Sequence, residues 1–276
     1  KTAMGLVGNA FEEDDLALLP GHLAIGHTRY STTGSNKLAN AQPFLAKSDQ
    51  LEIALAHNGN VINAVDLKTE LEGWGCTFSS SNDSEIIAQL IAHAPVSSWE
   101  DRMAYIMRRL QGAYSLSVMT KDKLIGIRDP LGVRPLCIGK LNKGWVIASE
   151  SCALDHIGAE YVREVDPGEA VMIDERGLRT IYKREADQPR ASCIFEHIYL
   201  SRPDSFLDGK LVYGVRMAMG AQLAKEHPVD ADMVIGVPDS ATAAAVGYSQ
   251  ESGIPFGEGL VKNRYVGRTF ILPDQR

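Results

Sequence analysis

The sequence predicts an α+β domain over residues 1–184, followed by an incomplete α/β domain over 193–276. Three observations predict it. In the first part, strand patterns give way to two or three helices and then to a run of short strands, the order of an α+β fold rather than of repeated βαβ units. A polar, proline-containing stretch from Lys183 to Ser192 then suits a linker. Beyond it, "MVIGVPDSATAAAVGYSQESGIPF" reads as an apolar strand, a Pro-Asp-Ser turn, an alanine-rich helix and a second short strand, a βαβ unit of a parallel sheet.

Each element has its own signal. "HLAIGHTRYS" and "LEIALAHNG" read as strands, the second with Leu51, Ile53 and Leu55 on one face and so little polarity that both faces are buried. "NAVDLKTELEGWG" reads as a helix closed by Gly73 or Gly75. The next helix begins at Ser81, Asn82 or Asp83, all good N-cap residues, and places Ile86, Ile87, Leu90 and Ile91 on one stripe. "SSWEDRMAYIMRRLQG" repeats that arrangement with Trp99, Met103, Ile106, Met107 and Leu110. Six short strands follow, from "AYSLSVM" to "LRTIYK", with turn chemistry at Asp129–Gly132 and Asp174–Gly177. In "GVRMAMGAQLAKE", Val215, Met219 and Leu223 make a helical stripe that reads as core.

Composition excludes several classes of function. With 276 residues, 45% hydrophobic, the chain is long enough for two domains with cores. A net charge of -7 and the lack of a basic run argue against a nucleic-acid surface. Cys76, Cys137, Cys152 and Cys193 are scattered without the spacing of a zinc site or a disulfide framework, so a reducing compartment, cytoplasm or plastid stroma, is expected. No apolar run of about 18 residues and no signal peptide is present, which points to a soluble protein. Both ends read as cut from a longer chain, since there is no initiator Met and the last segment is extended with nothing to pack it.

Three clusters could carry chemistry. Arg29, beside Tyr30, offers a planar fork for a carboxylate, Asp83 could receive an ammonium, and Asn58 with the Gly59 N–H could hold an oxyanion. Together they would hold a free amino acid. Each also has a plainer reading: a surface ion pair for Arg29, strand packing for Tyr30, an N-cap for Asp83, a type I′ turn for Asn58-Gly59. His22, His27 and His57 read as core or supporting histidines. Asp239 and Ser240 stand where helix N–H groups meet phosphate or metal-bound water, and simple capping explains them equally.

In order and wording, "GHTRYSTTGS", "AQPF", "LAHNGN", "SNDSE", "RDPLGVRPL" and "ASES" resemble the glutaminase domain of the class II, N-terminal-nucleophile amidotransferases. "FEHIYLSRPDS" and "GLVKNRYVGRTFI" narrow the resemblance to the glutamine phosphoribosylpyrophosphate amidotransferase family. The resemblance implies an αββα sandwich of the N-terminal-nucleophile type, then the start of a type I phosphoribosyltransferase domain. It implies a purine-synthesis enzyme that hydrolyses glutamine and passes ammonia to phosphoribosyl pyrophosphate, giving 5-phosphoribosylamine, pyrophosphate and glutamate. Arg29 and Asp83 then match the clamps for the glutamine α-carboxylate and α-ammonium, Asn58 and Gly59 the oxyanion hole, with Gly59 needed because a Cβ would crowd the reacting carbon. Lys262, Arg264, Tyr265 and Arg268 match a loop over the phosphoribosyl substrate.

The resemblance further implies Mg²⁺ in the complete enzyme, for which Ser240 is a candidate, a 4Fe-4S cluster in one branch, for which Cys193 is a candidate ligand or else a small hydrophobe, homo-oligomers, and purine nucleotides as feedback inhibitors. The chain departs from the family in one respect: the nucleophile is an N-terminal Cys whose α-amino group is the base, and here the first residue is Lys1. The piece as given is therefore expected to be inactive. A glutamine-binding regulatory protein, or a class II amidotransferase with another acceptor, is the alternative.

Overall fold

The computed structural model describes residues 1–29, 37–184 and 190–263. In chain order its elements begin with two short, exposed helices, α1 (Val7–Ala10) and α2 (Glu13–Ala17), then β1 (Phe44–Lys47), β2 (Glu52–Val61), α3 (Ala64–Gly73), α4 (Asp83–His93) and α5 (Trp99–Arg109). Next come β3 (Gly112–Met119), β4 (Leu124–Arg128), β5 (Cys137–Leu141), β6 (Gly144–Ala148), α6 (Ser151–His156), β7 (Glu160–Glu164), β8 (Glu169–Asp174) and β9 (Gly177–Lys183). The chain continues through a π-helical turn at Glu196–Leu200, the hairpin β10 (Phe206–Leu207) and β11 (Lys210–Leu211), and the helices α7 (Val212–Glu226) and α8 (Thr242–Ser252).

Among the described residues these elements form two compact units, one from 1–136 and 165–191, the other from 137–164 and 192–263. The first unit is a six-stranded antiparallel sheet in the order β1-β2-β3-β4-β8-β9. Leu55, Leu116, Val118, Ile125, Ile127 and Met172 of the sheet form one core with Ile87, Leu90 and Ile91 of α4 and Met103 and Ile106 of α5. Burying five such aliphatic side chains completely is worth about 1.5–3 kcal/mol each, which is what fixes both helices on the sheet. Helix α4 is capped by Asn82, whose side chain accepts the Ser84 N–H at 2.9 Å, and α5 by Ser98, which accepts the Asp101 N–H at 3.0 Å.

Of the expected strand at 22–31, residues 30 and 31 lie outside the described residues. Leu23 to Arg29 alternates between half-buried and exposed positions with the period of a strand but is not assigned to one. The sheet instead ends at β1, a four-residue strand just after Pro43 that the sequence reading did not include.

The second unit holds a three-stranded sheet, β6-β5-β7, and the helix pair α7/α8. The sequence reading includes 137–164 in the first domain, but this segment packs with the later residues. Glu150 accepts the Arg202 N–H at 2.8 Å and the Ser205 hydroxyl at 2.7 Å, Ser151 Oγ accepts the Phe206 N–H at 2.7 Å, and Glu164 accepts the Asp208 N–H at 2.6 Å. The expected βαβ unit is present in minimal form: Val234 N–H donates to Pro255 at 2.9 Å and Gly257 N–H to Val234 at 3.0 Å, a parallel bridge on either side of α8.

The buried stripe of α7 is Val212, Arg216, Gly220 and Ala224, while Leu223 is 49% exposed, so the expected core stripe of Val215, Met219 and Leu223 is displaced. The cause is backbone contact. A Cβ at Gly220 would lie 1.8 Å from the Ala244 carbonyl oxygen, and one at Gly247 would lie 2.0 Å from that of Met217, so the two helices cross where neither has a side chain. Gly247→Ala is expected to wedge them apart and destabilise this unit by about 2–3 kcal/mol, read as a lower urea midpoint; an unchanged midpoint would refute the crossing.

Candidate active site at the open edge of strand β2

Strand β2 outruns its neighbour, and the site lies where it does. The pairing of β1 with β2 stops at Phe44 opposite Leu55. Opposite His57 a side chain replaces the missing strand: Gln42 Oε1 accepts the His57 N–H at 2.7 Å and its Nε2 donates to the His57 carbonyl at 3.2 Å. Four residues beyond, at Val61, the N–H on that side is taken by Asp83 Oδ2 at 2.9 Å. In an antiparallel ladder alternate residues turn their N–H groups to the same side. The Gly59 N–H therefore points to this edge, between a donor occupied by Gln42 and one occupied by Asp83.

Asn58-Gly59 is thus strand rather than turn, paired with Ser115 and Tyr114 of β3. Gly59 has φ +154°, and a Cβ there would stand 2.0 Å from the Ala113 carbonyl oxygen and 2.8 Å from His57 Nε2. The adjacent strand by itself requires glycine at this position. Asn58 is half-buried, and strand alternation puts its carboxamide with Ser115 on the face opposite His57.

Asp83 does not cap its helix; Asn82 does, which leaves the Asp83 carboxylate at the first helical position for other work. It is 7% exposed, with Oδ1 3.9 Å from His57 Nδ1, and that nitrogen shares a 3.0 Å hydrogen bond with Ser84 Oγ. Burial holds His57 below its ordinary value against the pull of Asp83, so at neutral pH it does not cancel the carboxylate. The loop before α4 is fixed by Glu85, whose two oxygens accept from the N–H and hydroxyl groups of Ser79 and Ser80 at 2.6–2.8 Å. Its burial raises the carboxyl value, but those bonds lower it further and win.

Arg29 and His27 complete the cluster. The half-buried His27 ring is pushed down to about 4, first by burial, although its bond to the His57 backbone opposes this, and then by the neighbouring charges of His57 and Arg29. His27 thus bonds the His57 backbone, and Arg29 is near enough to His27 for its charge to act on the ring. His22, by contrast, is exposed.

A group whose folded value is lowered contributes fully above its unfolded value and costs stability as pH falls. Stability of this unit is expected to decline from about pH 6.5 toward 4 as His27 must accept a proton. His27→Gln should flatten the decline, measured as urea midpoints across that range.

Residues 27–156 match the model of the glutamine amidotransferase domain family. An amidophosphoribosyltransferase of Archaeoglobus fulgidus is 49% identical over 277 residues, covering 100% of this chain and 60% of the relative. One from Synechococcus elongatus is 49% identical over 99% of this chain and 56% of its own length. The solved glutamine phosphoribosylpyrophosphate amidotransferase of B. subtilis, complexed with ADP and GMP, superposes with a TM-score of 0.80 at 45% identity over 90% of this chain and 54% of that one. Over nearly its whole length the chain is similar to amidophosphoribosyltransferases. It spans a little over half the length of the curated relatives it matches.

The second unit offers a cleft of about 420 Å³ lined by Gly236, Asp239, Thr242, Gly257, Glu258 and Lys262 among others. Asp239 does not cap α8, whose N-cap is Ala241; its carboxylate receives Lys262 Nζ at 2.8 Å. Ser240 is half-buried in the turn before α8. Tyr30, Arg264, Tyr265 and Arg268 lie outside the described residues.

Among the described residues no three His, Cys, Asp or Glu side chains gather as a metal site. Ser240 adjoins a cleft whose lining includes the carboxylates of Asp239 and Glu258, and Cys193 is half-buried. Among the same residues no helix is long and apolar enough to cross a membrane.

Sequence reasoning missed Gln42, although "AQPF" carried it. No periodicity marks a side chain that bonds to another strand's backbone.

Proposed function

We propose that the first unit binds L-glutamine and hydrolyses its side-chain amide, and that the complete protein passes the ammonia to phosphoribosyl pyrophosphate to give 5-phosphoribosylamine, pyrophosphate and glutamate. One observation carries the reading: the Gly59 N–H points to a strand edge where no group among the described residues takes it, beside Asn58 and between positions held by Gln42 and Asp83. Arg29 takes the α-carboxylate as a bidentate pair and Asp83 the α-ammonium. As the amide carbon becomes tetrahedral, its oxygen gains charge, and the Gly59 N–H and the Asn58 carboxamide stabilise it. Tyr30 closes the pocket over the substrate.

The nucleophile is not one of the four cysteines. A reactive thiol needs a lowered value, whereas burial raises Cys76 and pushes Cys137 up to about 12, burial also raises Cys152, and Cys137, Cys152 and Cys193 belong to the other unit. The nucleophile is an N-terminal Cys of the full-length gene product. The first unit is read as the αββα sandwich of N-terminal-nucleophile enzymes. The second is read as the opening of a type I phosphoribosyltransferase domain, with the cleft at Asp239 and Lys262, together with Arg264, Tyr265 and Arg268, receiving the phosphoribosyl substrate, and with purine nucleotides as inhibitors. Supplied with glutamine, phosphoribosyl pyrophosphate and Mg²⁺, the full-length gene product should release pyrophosphate and glutamate together. Failure to form glutamate would overturn the glutaminase reading; glutamate without pyrophosphate would overturn the acceptor.

A further inference from the structure

The segment from Asn40 to Gln42 touches both halves of the candidate site. Gln42, 8% exposed, bonds the N–H and carbonyl of His57, the residue before Asn58. Asn40, 2% exposed, accepts the Ser81 N–H through Oδ1 at 3.1 Å and donates to Ser81 Oγ through Nδ2 at 3.3 Å, while its carbonyl accepts from Asn82 Nδ2 at 3.4 Å. Ser81 and Asn82 lead directly into Asp83. Three residues of chain thus hold the oxyanion donor on one side and the helix start that bears the ammonium ligand on the other.

The use of a side chain has a further consequence. Were β1 extended backward as regular strand, its backbone would go on to pair with Gly59 and consume that N–H. An amide side chain fixes the His57 peptide in the orientation a strand would impose and then stops, leaving the next donor on that edge open. We infer that Gln42 and Asn40 are positioning residues for amide hydrolysis, Gln42 setting the direction of the Gly59 N–H and Asn40 setting the place of Asp83. The inference rests on the glutaminase reading and adds to it a division of labour between two residues that do not touch substrate.

The division predicts opposite kinetic signatures in the full-length gene product. Gln42→Met, similar in length but unable to form either bond, should lower glutaminase kcat roughly tenfold to a hundredfold, with KM for glutamine within about twofold. Gln42→Glu keeps an acceptor for the His57 N–H and should fall between Gln42→Met and the unsubstituted enzyme; it also carries the test if Gln42→Met does not fold. Asn40→Leu should mainly raise KM. Unchanged kcat in both Gln42 variants, or kcat and KM moving together in the Gln42 and Asn40 variants alike, would overturn the inference. Absence of glutamate formation in the unsubstituted enzyme would instead be a failure of the glutaminase reading. In that event amide hydrogen exchange in the 276-residue chain decides the positioning role: His57 should be protected, Gly59 fast, and Gln42→Met should release His57; equal protection at His57 and Gly59 would overturn it.

Discussion

Gly59→Ala is expected to break the pairing of β2 with β3 and to eliminate glutaminase activity in the full-length gene product. The added methyl would lie 2.0 Å from the carbonyl oxygen of Ala113, an atom of the neighbouring backbone that cannot swing away as a side-chain tip could. On the other side stands His57 Nε2, 2.8 Å away and itself packed by burial. A φ of +154° adds strain for any residue with a Cβ. Relief requires β2 to move from β3 just where its core residues Leu55 and Val61 anchor α4, so the expected cost is about 3 kcal/mol or more. Urea unfolding checks this. A midpoint equal to that of the unsubstituted chain would mean that the strand edge is looser than described and that Gly59 is not held in place by its neighbours.

Asn58→Ala is expected to behave differently. Asn58 is half-buried, its side chain is opposite to the helix-packed face, and its removal leaves the ladder with Ser115 intact, so the urea midpoint should hardly change. Its carboxamide matters only once the amide oxygen of glutamine becomes charged. The expected result is a fall in kcat of roughly a hundredfold or more with KM nearly unchanged, the mark of a donor used in the transition state. A rise in KM with unaltered kcat would assign Asn58 to ground-state binding and remove it from the oxyanion site.

The elements of the fold were largely legible because each long element carries one period. Ile86, Ile87, Leu90 and Ile91 do line the buried face of α4, and β2 is buried on both faces over its middle, as its run of apolar residues implies. Period says which face is turned inward, not what lies beside it. Leu23 to Arg29 keeps the alternation of a strand but is not assigned to one, and the buried stripe of α7 differs from the apolar one because contact with α8 selects the smallest residues rather than the most apolar. Residues 137–164 leave the first unit after Leu136 and return to it at Val165, whose N–H donates to Leu136 at 2.8 Å, and composition gives no sign of either junction.

Of the site, Arg29, Asn58, Gly59 and Asp83 were chosen for what their side chains or backbone could bind, and that chemistry is readable residue by residue. What could not be read was why the Gly59 donor stays open. That depends on where β1 stops and on a glutamine side chain standing in for it, both of them consequences of register.

The central claim is that Arg29 and Asp83 receive the two charged ends of one amino acid whose amide oxygen lies at Gly59. It is tested most directly by comparing L-glutamine with its α-amide, in which the carboxylate is replaced by a neutral carboxamide, as glutaminase substrates of the full-length gene product and its Arg29→Ala variant. The account predicts that Arg29→Ala lowers kcat/KM for glutamine roughly a hundredfold through KM and leaves that for the α-amide nearly unchanged, since the lost partner is already absent. An equal fall for both substrates would show that Arg29 does not meet the carboxylate and would contradict the account.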